Sequence, residues 1–166
     1  MHAALIRRLF ELEKDPELAH RMEIGGSKIR DVHRWGIPEA ELVNERARAF
    51  FSLASGKPDP TADLAWANIS RSGEWLSPHS HDVSVGSVVY CLDPGDADPG
   101  NRFSGRLAFA DPRIAECCPS QDDAVTRELA PELRAGALVL FPCQMVHYVH
   151  PYTGRRPRIT IAWNLS

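Results

Sequence analysis

The chain has 166 residues, 43% of them apolar and 25% charged, enough for one globular domain with a substantial core. Its net charge of -3 gives no electrostatic case for binding nucleic acid or an anionic membrane surface. No apolar run reaches the roughly 18 residues that a membrane span needs.

The opening stretch, MHAALIRRLFELEKDPELAH, sets apolar Leu5, Leu9, Phe10 and Leu12 among charges and predicts an amphipathic helix from Ala3 to about Lys14. It lacks the apolar core and small-residue cleavage site of a signal peptide, so the cytoplasm is the expected compartment. The cysteines agree. Cys117 and Cys118 are adjacent, Cys91 and Cys143 lie in apolar runs, and no CxxC pair occurs, so idle free thiols are expected.

GGSK, residues 25 to 28, lacks phosphate-loop spacing and reads as a turn, while His20 and His33 read as surface residues. PEAELVNERARAFFSLA predicts a second helix, with Pro38 in its first turn and Leu42, Ala47, Phe50 and Phe51 at helical spacing. SGKPDPTAD is a loop by its glycine and proline content. Beyond it come short strand-like runs: LAWANIS, SVGSVVYCL, GRLAFAD, GALVLFP and RITIAWNL. The prediction is a single domain over residues 1–166, mainly β with N-terminal helices. Residues 1–60 form a helical support and 61–166 a β-sandwich or barrel. The long segment from Ile114 to Ala135 is expected to be a loop that covers a site.

The chemistry concentrates in the β part. His79 and His81 are two residues apart, so along a strand they reach toward one point, and imidazole is the commonest protein ligand for a transition metal. His147, after the run Ala137 to Phe141, is the candidate third donor. Asp82 is an alternative to His81 if a bulge turns it inward. His150 is expected to face away from such a site. In RITIAWN, Arg158, Thr160 and Ala162 share one face and Ile159, Ile161 and Trp163 the other. A guanidinium beside a hydroxyl can grip a carboxylate.

Four blocks resemble a known family. WANISRSGEWLSPHSH, GSVVYCL, GRLAFADPR and GALVLFPCQMVHYVHPYTGRRPRITIAWN are similar, from about Leu64 to Asn164, to 2-oxoglutarate and iron(II)-dependent oxygenases of the small bacterial and phage type, related to the prolyl-hydroxylase branch. The resemblance implies a double-stranded β-helix (jelly-roll, cupin-like) and iron(II) on His79, His81 and His147. It also implies 2-oxoglutarate on that iron with its far carboxylate on Arg158, Thr160 assisting, and Tyr90 and Asn68 lining the cosubstrate. Asn164 is expected to be structural. The implied reaction uses O2 to hydroxylate a small molecule, amino acid or peptide, releasing succinate and CO2, with no catalytic residue beyond the metal centre. Two other readings stay open: a cupin-like metalloenzyme that does not use 2-oxoglutarate, and a non-catalytic β-barrel binding module. Edge strands of a sandwich could also pair into a homodimer.

Overall fold

The computed structural model describes residues 1–81, 83–96, 100–111 and 128–166. Asp82, Cys117, Cys118 and the expected covering loop from Ile114 as far as residue 127 lie outside the described residues. Two helices are present, α1 (His2–Leu12) and α2 (Pro38–Ser55). The strands in chain order are β1 (Ala19–Met22), β2 (Gly26–Arg30), β3 (Ala62–Ser70), β4 (Leu76–His79), β5 (Gly86–Asp93), β6 (Leu107–Ala110), β7 (Glu128–Leu129), β8 (Leu138–Pro142), β9 (His147–Val149) and β10 (Arg158–Leu165). Among the described residues they form a six-stranded sheet, ordered β1-β2-β3-β10-β5-β8, and a four-stranded sheet, ordered β4-β9-β6-β7.

Each strand of the large sheet has one face toward the helices and one toward the small sheet. On β10, Ile159, Ile161, Trp163 and Leu165 join the helix-side core, while Ala162 packs in the cluster between the sheets. The helix-side core also takes Leu5, Leu9 and Leu12 of α1, spaced four and three residues apart, and Val43, Ala47 and Phe51 of α2. Each fully buried leucine there contributes about 2 kcal/mol. Proline opens α2, Glu39 and Glu41 lie in its first turn, and Gly56 ends it at a φ of 72°. Leu42, expected on the buried stripe, stands on the solvent side, and Val43 takes its place in the core.

The N-terminal part is not wholly helical. Between the helices, β1 and β2 form a hairpin that adds to the large sheet through β3, with Lys28 opposite Asn68 and Arg30 opposite Trp66. GGSK is thus partly strand: Gly26 to Lys28 already belong to β2. Glu13, just past α1, fastens the helix to the sheet by accepting hydrogen bonds from both terminal nitrogens of Arg71 at 2.7 and 2.8 Å. That pairing is the main cause holding the Glu13 carboxyl below its usual pKa. Among the described residues no helix is long and apolar enough to cross a membrane.

Gly26 sets the close approach of β2 to β3. Its φ is +84°, and a Cβ there would stand 2.3 Å from the Ile69 carbonyl oxygen. Gly26→Ala is therefore expected to lower stability by about 2 kcal/mol or more, read as a fall in the urea midpoint with an unchanged slope.

Candidate metal centre

Three histidines meet between the sheets. His79 ends β4 and lies directly opposite His147 on β9 in the antiparallel register. Their ring centroids are 4.3 Å apart, and those of His81 lie 5.4 Å from His79 and 5.0 Å from His147. One ligand nitrogen from each ring falls within 4.8 Å of the other two. The convergence of His79 and His81 does not come from strand alternation alone, because β4 stops at His79. His81 lies beyond the strand and is held by its backbone N–H, which donates to the Cys143 carbonyl at 2.8 Å.

The hydrogen bonds fix which nitrogen of each ring carries its proton. His79 Nδ1 donates to the Ser77 carbonyl at 2.7 Å and His147 Nδ1 to the Met145 carbonyl at 2.9 Å. His81 Nδ1 lies 2.7 Å from Asn164 Oδ1 and 3.0 Å from Ser87 Oγ, while Ser87 donates to the same Asn164 oxygen at 2.8 Å. With each Nδ1 carrying its proton, each Nε2 keeps a lone pair, the arrangement expected of imidazoles that hold a metal. Burial pushes the His147 pKa down to about 4, so this ring is neutral near pH 7 and gives up no proton on binding a cation.

These side chains line a cavity of about 300 Å³ whose wall also includes Lys28, Trp66, Asn68, Arg158 and Thr160. Arg158 is 5% exposed, and burial pushes its pKa down. Among the described residues it makes no ion pair with a carboxylate. Thr160 follows on the same face of β10, with Asn68 directly across from it on β3. The cavity therefore offers three imidazole donors at one place and, at another, a buried guanidinium without an ion pair among the described residues, which suits a cation bound together with an anion.

Residues 64–164 match the 2OG-Fe(II) oxygenases, a span of more than half the chain. The chain belongs to this family. It is accordingly a 2-oxoglutarate-dependent non-haem iron dioxygenase, with iron(II) and 2-oxoglutarate as its cofactors. A search of curated proteins finds no match. Among solved structures, this oxygenase superposes on AviO1 from Streptomyces viridochromogenes Tue57 with a TM-score of 0.69 at 17% identity, over 99% of this chain and 82% of that one. It is similar to the epimerase SnoN in complex with Fe3+, alpha ketoglutarate and nogalamycin RO, with a TM-score of 0.73 at 15% identity, covering 99% and 73%. It is also similar to a Pseudomonas putida prolyl-4-hydroxylase, with a TM-score of 0.61 at 19% identity, covering 98% and 84%. At such identities these likenesses show the fold, a double-stranded β-helix whose large and small sheets enclose the cavity.

One expected lining residue belongs elsewhere. Tyr90 is buried on the opposite face of β5, in the helix-side core, with its hydroxyl 2.6 Å from His2 Nε2. Ser87 and Val89 of the same strand face the cavity, so Tyr90, three residues from Ser87 and one from Val89, turns away from it. Asn68 and Thr160 do line the cavity, while His150 points outward and contacts the Glu128 carboxylate at 2.9 and 3.0 Å. Trp163 is core, Trp66 is cavity wall, and Trp75 is partly exposed outside both.

Sequence reasoning missed the holder of His81. Asn164 was readable only as structural, yet it lies two residues past Ala162 on the face that carries Arg158 and Thr160. That parity was the available signal. Asn164→Ala is expected to weaken iron(II) or cobalt(II) binding by about 10- to 100-fold with the fold retained, measured by anaerobic metal titration.

Proposed function

We propose that the enzyme hydroxylates a small molecule or an amino-acid or peptide substrate, with His79, His81 and His147 holding iron(II) and Arg158 with Thr160 holding the far carboxylate of 2-oxoglutarate. The observation that carries this assignment is Arg158, a buried cation without a carboxylate partner among the described residues, in the cavity that the three histidines line. A charge so placed costs several kcal/mol unless an anion meets it. A metalloenzyme acting through a metal alone would have no use for it. SnoN holds iron and alpha ketoglutarate within the same fold, in support of this reading.

When bound, iron and 2-oxoglutarate supply an oxidant strong enough for an unactivated C–H bond, with succinate and CO2 as co-products. The chain's own residues do the positioning. The Ser77 and Met145 carbonyls and the Asn164 amide keep the three rings aimed inward. In this reading Asn68, opposite Thr160 on the neighbouring strand, donates a further hydrogen bond to the cosubstrate. Trp66, Leu76, Val89, Phe141 and Val149 supply apolar wall that limits water around the metal. Two buried free thiols, Cys91 and Cys143, fit a reducing compartment, and we place the enzyme in the cytoplasm.

The test is an anaerobic titration of metal-free protein with iron(II) and then 2-oxoglutarate, following the visible charge-transfer band of the chelated keto acid. The band is expected to saturate in the wild type and to be absent in His147→Ala. In Arg158→Ala the cosubstrate affinity is expected to fall by about 100-fold or more. Iron binding with no band at any 2-oxoglutarate concentration would overturn the assignment.

A further inference from the structure

A second cation reaches the same cavity from the N-terminal hairpin. Lys28 is on β2, and its Nζ lies 4.1 Å from the centroid of the Trp66 ring. Both residues line the cavity, together with Met22, Leu64 and Leu76. Among the described residues Lys28 has no ion-pair partner, and none of those lining this cavity is an aspartate or glutamate. The side chain is half-buried, and burial pushes its pKa down. An ammonium with a cation–π contact but no counter-ion among the described residues, set among apolar walls, is a ready seat for an anion.

The cosubstrate does not account for it. In the proposed arrangement one end of 2-oxoglutarate chelates the metal and the other meets Arg158, leaving no carboxylate over. Lys28 is opposite Asn68 on β3, and Asn68 is opposite Thr160 on β10, so β2 stands two strands, or about 10 Å, from β10 across the sheet. The charges point the same way. Three imidazoles bring no negative charge to iron(II), and the 2-oxoglutarate dianion balances the metal, so among the described lining residues Arg158 and Lys28 leave the cavity positive.

We propose that Lys28 anchors an anionic group, a carboxylate or a phosphate, on the primary substrate, whose apolar body packs against Trp66, Leu64, Leu76 and Met22. The substrate is thus a small organic acid or phosphate ester. This inference rests on the oxygenase reading above and names its substrate class.

The probes are benzoate and phenyl phosphate, with benzamide as the neutral control, titrated by anaerobic calorimetry into protein loaded with iron(II) and 2-oxoglutarate. At least one anion is expected to bind about tenfold or more tightly than benzamide. The stronger of the two tells a carboxylic acid from a phosphate ester. Lys28→Met, which keeps an unbranched side chain beside Trp66, is expected to reduce the anion to the affinity of benzamide, and Lys28→Arg to restore the preference. The inference is overturned if benzamide matches both anions, if neither anion binds, or if Lys28→Met leaves the preference intact. It also falls if Lys28→Met shifts the 2-oxoglutarate midpoint of the charge-transfer band, since Lys28 would then hold cosubstrate. Absence of that band in the wild type would overturn the cosubstrate assignment instead, and Lys28-dependent anion binding to the metal-free protein would still support the anchor.

Discussion

The strict two-residue alternation of β10, clamped between β3 and β5, is the constraint on which the rest of the molecule depends. Its even residues, Arg158, Thr160, Ala162 and Asn164, all face the cavity, and its odd residues from Ile159 to Leu165 lie in the core beneath the helices. One strand therefore supplies the cation for an anion, a neighbouring hydroxyl, a small residue that leaves space, and the amide that orients His81. A slip of one residue would place a guanidinium in the helix-side core and isoleucines beside the three histidines. Pairing on both edges and burial on both faces make such a slip very costly.

The small sheet contributes by a different device. β4 and β9 are short, and their pairing sets His79 directly against His147. Backbone carbonyls two residues earlier in each case, those of Ser77 and Met145, take the Nδ1 protons. The tautomers of these rings are thus written mostly into the main chain, which no side-chain substitution removes. His81 is the exception, since side chains of Asn164 and Ser87 from the large sheet hold its ring.

Much of this was legible from residue order, and the illegible parts have physical causes. β3, β5, β6, β8 and β10 are rich in apolar residues, whereas β1 reads AHRM, β2 carries Lys28 and Arg30, and β4 contains Pro78. Those three strands form because partners pair with them, not because their own composition favours extension. The face of Arg158 could be read because RITIAWN alternates. GSVVYCLD does not, being buried on both sides along nearly its whole length, so nothing in it told which way Tyr90 would turn. Lys28 carries no local signal, because the glycines before it look like a turn and only the pairing of β2 with β3 brings it to the cavity.

The hairpin of β1 and β2 lies outside the span that matches the oxygenase family, residues 64–164. His79, His81, His147 and Arg158 are thus encoded in one continuous stretch, and the part of the cavity wall that carries Lys28 in another. At that border of the sheet position 28 can be exchanged without touching His79, His81 or His147, whereas Gly26 and Ile29 of the same strand are held by packing, so the cavity can change its charge while the histidine cluster stays as it is.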